Sequence, residues 1–195
     1  MIREAEEKGL QDWRKSLLKN ISGDVLEIGA GTDANLEFYP KSINRLVLSE
    51  PCQYMRNKLQ NKISVDHHKN IVLFDYSSEN ILLPDNSFDY VVSTLVLCSV
   101  NDLEKSLLEI HRVLKPQGKF VFIEHVLAVH NPDRLKWQKR LEFIWKTIAC
   151  GCHLTRNTEK SIIDAGFTIS VIHHQSMRGV PPVARPSVRG VAKKN

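Results

Sequence analysis

The stretch Asp24-Val25-Leu26-Glu27-Ile28-Gly29-Ala30-Gly31-Thr32-Asp33 constrains this chain most, because a short apolar run ends there in two glycines one residue apart. The run has the length of a buried strand. Gly29 is free to take a positive φ, and Gly31 lets backbone approach a ligand with no Cβ between them. A strand that turns on such glycines into a helix aims backbone N–H groups over the end of a sheet. In open α/β sheets the crevice beyond the carboxyl ends of the strands is where ligands bind.

The remaining chain fits around that strand. Residues 1–20 place Ile2, Ala5, Leu10, Trp13, Leu17 and Leu18 near one helical face, which predicts an amphipathic helix packing on a domain spanning 21–195. Ala34–Tyr39 can continue as a short helix until Pro40, and Arg45–Glu50 reads as a second strand ending in a carboxylate. Pro51 then starts a helix through about Leu59, and Asn70–Asp75 and Phe88–Ser93 read as the third and fourth strands. Leu103, Leu107, Ile110 and Leu114 make a helical stripe that Pro116-Gln117-Gly118 ends before a fifth strand, Lys119–His125. Helices over Asp133–Cys150 and Asn157–Ala165 precede two strands, Phe167–His173 and Ser187–Ala192. The order predicts an α/β fold: a mainly parallel sheet of seven strands with helices on both faces and a late antiparallel hairpin at one edge.

With 195 residues the chain is sized for one domain that needs neither disulfides nor metal. No run of 18 apolar residues exists to span a membrane, and the first residues, Arg3, Glu4, Glu6, Glu7 and Lys8, have no signal-peptide core, so a cytoplasmic location is expected. The four cysteines, Cys52, Cys98, Cys150 and Cys152, form no zinc-knuckle spacing and are read as reduced thiols, with no metal site. A net charge of +5 would suit an acidic partner, but much of it sits in Arg185, Arg189, Lys193 and Lys194, read as a solvated terminus rather than a nucleic-acid patch.

Gly29-Ala30-Gly31-Thr32-Asp33-Ala34 satisfies G-x-G-x-x-A, and Glu50 lies about 20 residues on, so NAD is one candidate ligand. Glu27 two residues before the first glycine would crowd a pyrophosphate, only one glycine turn is visible, and a terminal hairpin is not how dinucleotide folds usually close. A cofactor with adenine, ribose and an amino-acid end accounts for all three: Glu50 would take both ribose hydroxyls and Glu27 would orient the methionine end. That cofactor is S-adenosylmethionine.

The E-x-G-x-G turn, the acidic end of strand two, Ser77-Ser78-Glu79 before Leu83-Pro84-Asp85-Asn86-Ser87-Phe88-Asp89, and His111-Arg112-Val113-Leu114-Lys115-Pro116-Gln117-Gly118 resemble, in order, the motifs of the class I S-adenosylmethionine-dependent methyltransferases. A closer similarity, to the methyltransferase-like seven branch of thiol S-methyltransferases, includes Asn35 with Phe38-Tyr39-Pro40, Thr94-Leu95-Val96-Leu97-Cys98-Ser99-Val100, Glu124-His125-Val126, Trp137-Gln138, Trp145-Lys146, and Gly151-Cys152 with Leu154-Thr155-Arg156. The resemblance implies a Rossmann-like fold and a cofactor site built from Glu27, Gly29, Ala30, Gly31, Asn35, Glu50, Pro51, Ser77, Ser78, Glu79, Thr94 and Leu95. Three features depart from the pattern. No counterpart of the family's hydrophobic N-terminal anchor is read in the first residues, so the family's lipid association is not expected to carry over; Asp33 stands where a third glycine is usual, and Ser77 replaces a carboxylate used near the adenine, leaving backbone N–H at Ser78 or Glu79 to contact it.

Methyl transfer from a sulfonium is an in-line displacement, so alignment and exclusion of water matter more than a base. His125, at the ligand end of strand five, is the candidate base or acceptor-orienting group. Cys98 has no adjacent cation to activate it and reads as an apolar lining residue of an acceptor pocket completed by Trp145, His153 and Arg156. Trp137 and Trp145 read as core or pocket wall, and His67-His68 and His173-His174 as surface. The expected activity is methyl transfer to a small lipophilic acceptor, a thiol first, with amine, phenol, quinone-type or phospholipid acceptors as alternatives. A binding module without turnover and an NAD-dependent oxidoreductase are the readings from other classes. The expected partner is a small molecule; peripheral membrane contact and the oligomeric state stay open.

Overall fold

The computed structural model describes residues 2–63 and 70–195; His67 and His68 lie outside them. Among the described residues the apolar runs form β1 (Gly23–Ile28), β2 (Ile43–Ser49), β3 (Ile71–Phe74), β4 (Phe88–Thr94), β5 (Leu114–His125), β6 (Phe167–Ser176) and β7 (Pro186–Lys194). The helices are α1 (Ile2–Ala5), α2 (Gln11–Leu18), α3 (Gln53–Ile63), α4 (Leu103–Val113), α5 (Pro132–Ile148) and α6 (Thr158–Asp164). The sheet runs β3-β2-β1-β4-β5-β7-β6, parallel from β3 through β5, with β7 antiparallel to both its neighbours. The chain winds outward from β1 to β3 and then returns to β4 on the other side of β1. The order therefore reverses between β1 and β4, and a crevice opens there beyond the carboxyl ends.

Alternation along each strand decides which side chains meet which layer. Leu26 and Ile28 of β1 pack with Leu107, Ile110 and Ile162 under α4 and α6, whereas Val25 packs with Leu18 and Leu59 under α2 and α3. Glu27 therefore points to the face that α2 covers. A third apolar cluster joins Ala5, Leu10, Trp145, Leu154 and Met177 to Ile123 at the end of β5.

Four local expectations change. The single N-terminal helix is broken by a wide turn at Glu6–Leu10, where Gly9 takes φ 121, so α1 and α2 have different directions to pack in. Ala34–Tyr39 is reduced to one 3₁₀ turn, Leu36–Phe38, because Asp33 at φ 105 leaves helical backbone and the side chains of Asn35 and Tyr39 are drawn down to Glu27. Trp137 is not core: it is 53% exposed, while Trp145, about two turns later and roughly 80° round α5, is buried. Of the basic residues read as a solvated terminus, Arg189, Lys193 and Lys194 belong to β7 and Arg185 directly precedes it, with Lys194 Nζ donating to the Leu114 carbonyl at 2.7 Å.

Candidate active site

Register brings the ligand ends of the strands level: Ile28 pairs with Ser49 on one side and Ser93 on the other. Gly29, Glu50 and Thr94 consequently follow side by side. Gly29 and Gly31 take φ 58 and 62, the left-handed conformation that glycine adopts without strain. A Cβ on Gly29 would lie 2.6 Å from Val96 Cγ2, so that glycine serves the close approach of β1 and the loop after β4. A Cβ on Gly31 would meet no protein atom within 4 Å. Space opens above Gly31, and a ligand there would contact bare backbone.

The turn does not offer all its donors to that space. Ala30 N–H donates to the Ser49 carbonyl at 3.0 Å, and Gly31 N–H donates to Glu50 Oε2 at 2.8 Å. Glu50 Oε1 accepts from Cys52 N–H at 2.9 Å, just past Pro51. A carboxylate has about four lone-pair sites, so two remain for the hydroxyl pair of a ribose. Asp33 pairs with Lys62 Nζ at 2.6 Å, which ties the glycine turn to α3 in the place of a third glycine. On the neighbouring loop Ser77 accepts from Asn80 N–H, Ser78 Oγ lies 3.0 Å from Ser106 Oγ, and Glu79 Oε1 accepts from Asn101 N–H at 2.9 Å. The Ser78 and Glu79 side chains thus tie this loop to the start of α4.

Glu27 is buried, and each of its carboxylate oxygens already has a donor. Its Oε1 accepts from Asn35 Nδ2 at 2.8 Å and its Oε2 from the Tyr39 hydroxyl at 2.7 Å. Burial pushes its pKa up to about 7 against the opposing pull of those two donors. The second Asn35 amide hydrogen reaches Thr94 Oγ1 at 3.0 Å, and Asn35 Oδ1 accepts from Arg14 at 2.7 Å. Arg14, itself buried, continues to Glu6 at 2.9 Å. The chain Glu6–Arg14–Asn35–Glu27 links the N-terminal helices to the first strand. Neither Arg14 nor Tyr39 stands out in the sequence as a site residue. A lone arginine among charges on a helix face reads as solvated, and only folding buries it.

The acceptor side is organised by a second buried carboxylate. Glu124 accepts from Ser93 Oγ at 2.7 Å and from the N–H groups of Val96, Leu97 and Cys98 at 3.2, 3.1 and 3.2 Å. Burial pushes its pKa up to about 7 despite those donors. The loop they define begins at Leu95, a left-handed residue at φ 58 whose N–H donates to the Ile123 carbonyl at 2.7 Å. Arg156 donates to the carbonyls of Leu97 and Val100, so it holds this loop from outside. His153 N–H donates to the Cys98 carbonyl at 2.8 Å while its ring Nδ1 sits 2.9 Å from Glu142 on α5, turned away from Cys98.

His125 is buried, with Nδ1 3.8 Å from Cys152 Sγ and Nε2 without a partner among the described residues. Trp145 Nε1 is likewise buried, and its N–H faces the Cys152 thiol. The Cys98 thiol and His125 beside it hold the Cys152 thiol below its ordinary range, while Cys98, buried and donating to Cys152, is pushed up. His125, Cys98, Cys152 and Trp145 thus gather near the apolar cluster at the end of β5; His153 and Arg156 support its loops. Cys152 is the member that sequence reasoning leaves out, since a C-x-C spacing carries no signal without a partner.

Residues 26–122 match the family described as Methyltransferase domain. Rat thiol S-methyltransferase TMT1B is 41% identical over 155 residues, covering 77% of this chain and 63% of that protein. Human thiol S-methyltransferase TMT1A is 36% identical over 172 residues, covering 87% of this chain and 70% of that protein. The chain thus spans less than two thirds of the rat relative. Among solved structures, an S-adenosylmethionine-dependent methyltransferase of Methanosarcina mazei superposes with a TM-score of 0.67 at 17% identity, covering 88% of this chain and 92% of its own, which shows a shared fold. No helix among the described residues is long and apolar enough to cross a membrane. The chain belongs to the class I S-adenosylmethionine-dependent methyltransferases, in the branch of the thiol S-methyltransferases TMT1A and TMT1B.

Proposed function

We propose that this chain transfers a methyl group from S-adenosylmethionine to the thiol of a small lipophilic acceptor. The observation that carries the reading is the pairing of an open space over Gly31, whose N–H is bonded to Glu50, with an apolar cluster at the end of β5. Beside that cluster lies His125, with a buried, unpartnered Nε2. The thiol preference is supported by the names of the relatives.

When bound, the cofactor supplies a methyl on a positively charged sulfur. The chain's own residues bind and aim. Glu50 takes the ribose hydroxyls, Pro51 and the backbone of Ser77, Ser78 and Glu79 border the adenine, and Gly29, Ala30 and Gly31 let the ligand lie against backbone. Thr94 and Leu95 face the amino-acid end, with Asn35 and Glu27 acting behind Thr94 to fix its position. On the acceptor side, Leu95, Cys98 and Trp145 exclude water, and His125 Nε2 accepts the thiol proton. Cys152 beside Nδ1 keeps the proton on that nitrogen, so that Nε2 is the acceptor.

Two variants test the reading. Gly31→Val costs some backbone strain at φ 62 but drives its side chain into no protein atom, so a variant that still unfolds cooperatively should lose the thermal shift given by S-adenosylhomocysteine; an unchanged shift would mean the cofactor lies elsewhere. His125→Asn should lower the rate with an alkyl thiol by roughly 10²-fold or more at pH 7. That deficit should shrink as pH passes the acceptor thiol's own pKa, because the thiolate no longer needs a base. A deficit independent of pH would assign His125 a packing role.

A further inference from the structure

We propose that the solvent face of α5 is a docking surface for an anionic lipid bilayer. Buried side chains hold one side of this helix to the domain: Gln138 accepts from Ala128 N–H at 2.8 Å and donates to the Val183 carbonyl at 2.9 Å, and Trp145 packs in the cluster at the end of β5. The other side is unusually apolar for a surface. Phe143 is 83% exposed, Ile148 70%, Ile144 57% and Trp137 53%. Trp137, Ile144 and Ile148 are spaced seven and four apart, which places them on one line along the helix, with Phe143 about 100° round the exposed face from Ile144.

Charge selects the occupant. Lys136, Lys139, Arg140 and Lys146 are all exposed: at roughly 100° per residue Lys136 and Arg140 fall between that line and Phe143, Lys139 and Lys146 fall beyond Phe143 at the far edge of the exposed face, and Arg140 lies over the Trp137 ring at 5.5 Å. Of the acidic residues of α5, Asp133 sits in the first turn, and Glu142 is turned to the domain by His153 and Leu154 N–H. The middle and end of the exposed face therefore combine cations with aromatic and aliphatic side chains and no free carboxylate. That is the composition of a helix lying in the plane of a negatively charged interface, where the rings enter the boundary region and the cations meet headgroups. A second copy of the same face would bring four cations against four, which disfavours self-association through it. The position suits the acceptor as well: one helix turns Trp145 toward Cys152 and Phe143 toward the bilayer, so a lipophilic acceptor dissolved in the membrane is met close to the site.

The test is co-sedimentation of the full chain with phosphatidylcholine vesicles containing or lacking phosphatidylserine, with Trp fluorescence as a second readout. Binding is expected on the phosphatidylserine vesicles, with a blue shift that the Trp137→Phe variant lacks. Raising the salt to about 1 M should weaken it, as the Debye length falls to about 3 Å. The double variant Phe143→Ser, Ile148→Ser removes only exposed side chains and should reduce partitioning at least tenfold. A control on other surfaces, Leu82→Ser with Leu108→Ser, should change nothing. Failure of the chain to sediment, equal binding by the double variant, or a wild-type dimer that this variant dissociates would each overturn the proposal. None of these readouts depends on methyl transfer, so the docking surface can fail while the proposed reaction stands, and the reverse.

Discussion

Removing one hydroxyl, in Tyr39→Phe, tests the buried carboxylate of the first strand. Tyr39 is 5% exposed and donates to Glu27 Oε2 at 2.7 Å, so the variant keeps the ring and deletes one of the two donors to Glu27. A hydrogen bond to an ionised group contributes about 1.5–3 kcal/mol and one to a neutral group about 0.5–1.5 kcal/mol. Which value applies depends on pH, because burial raises Glu27 to about 7. A carboxyl raised above its unfolded value binds more protons when folded. Its stabilisation is therefore full below the unfolded pKa and is lost as pH rises through about 7. At pH 5 the carboxyl is protonated and Tyr39→Phe should cost about 1 kcal/mol; at pH 8 it is ionised and the cost should be about 2–3 kcal/mol. In a domain of this size those losses correspond to roughly 2–4 °C and 4–12 °C in Tm. Urea denaturation at the two pH values measures both. Equal losses at pH 5 and 8 would refute the assignment of Glu27 as the titrating partner.

Three other outcomes follow from the same geometry. Asp33→Gly relieves a non-glycine residue held at φ 105 and gives up a half-exposed ion pair with Lys62, so a net gain of about 0.5–1 kcal/mol should appear in thermal unfolding. Gly29→Ala should destabilise far more than Gly31→Ala, because only the first drives a Cβ into Val96, and paired unfolding curves would show the gap. Glu124→Ala strands the donors of Ser93, Val96, Leu97 and Cys98 and should cost at least about 3 kcal/mol, with faster alkylation of Cys98 as its loop loosens; unchanged Cys98 reactivity would show that other contacts hold the loop.

Much of the architecture was legible because it rests on short-range rules. Short apolar runs marked the strands, and glycines and prolines marked the turns. The closing pair Phe167–Ser176 and Pro186–Lys194 was visible as two runs around a Pro- and Gly-rich loop. Where local rules failed, a long-range contact had won: a strained Asp33 and the demand of Glu27 for donors cut the helix after the glycine turn to one 3₁₀ turn. Trp137 and Trp145 look alike in sequence, yet eight residues of helix turn one to solvent and the other to the core.

The sequence by itself determined the glycine turn, the acidic end of β2 and the order of the strands, because each follows from residue types a few positions apart. Only the tertiary structure decided that Glu27 lies sealed behind Asn35 and Tyr39, that Arg14 reaches it from the N-terminal helices, and that Cys152 stands beside His125. The same holds for Glu124, which reads as a strand-end carboxylate and becomes the support of the acceptor loop. A buried charge is stable only with partners, and those partners come from segments far apart in the chain, so their meeting is a property of the fold.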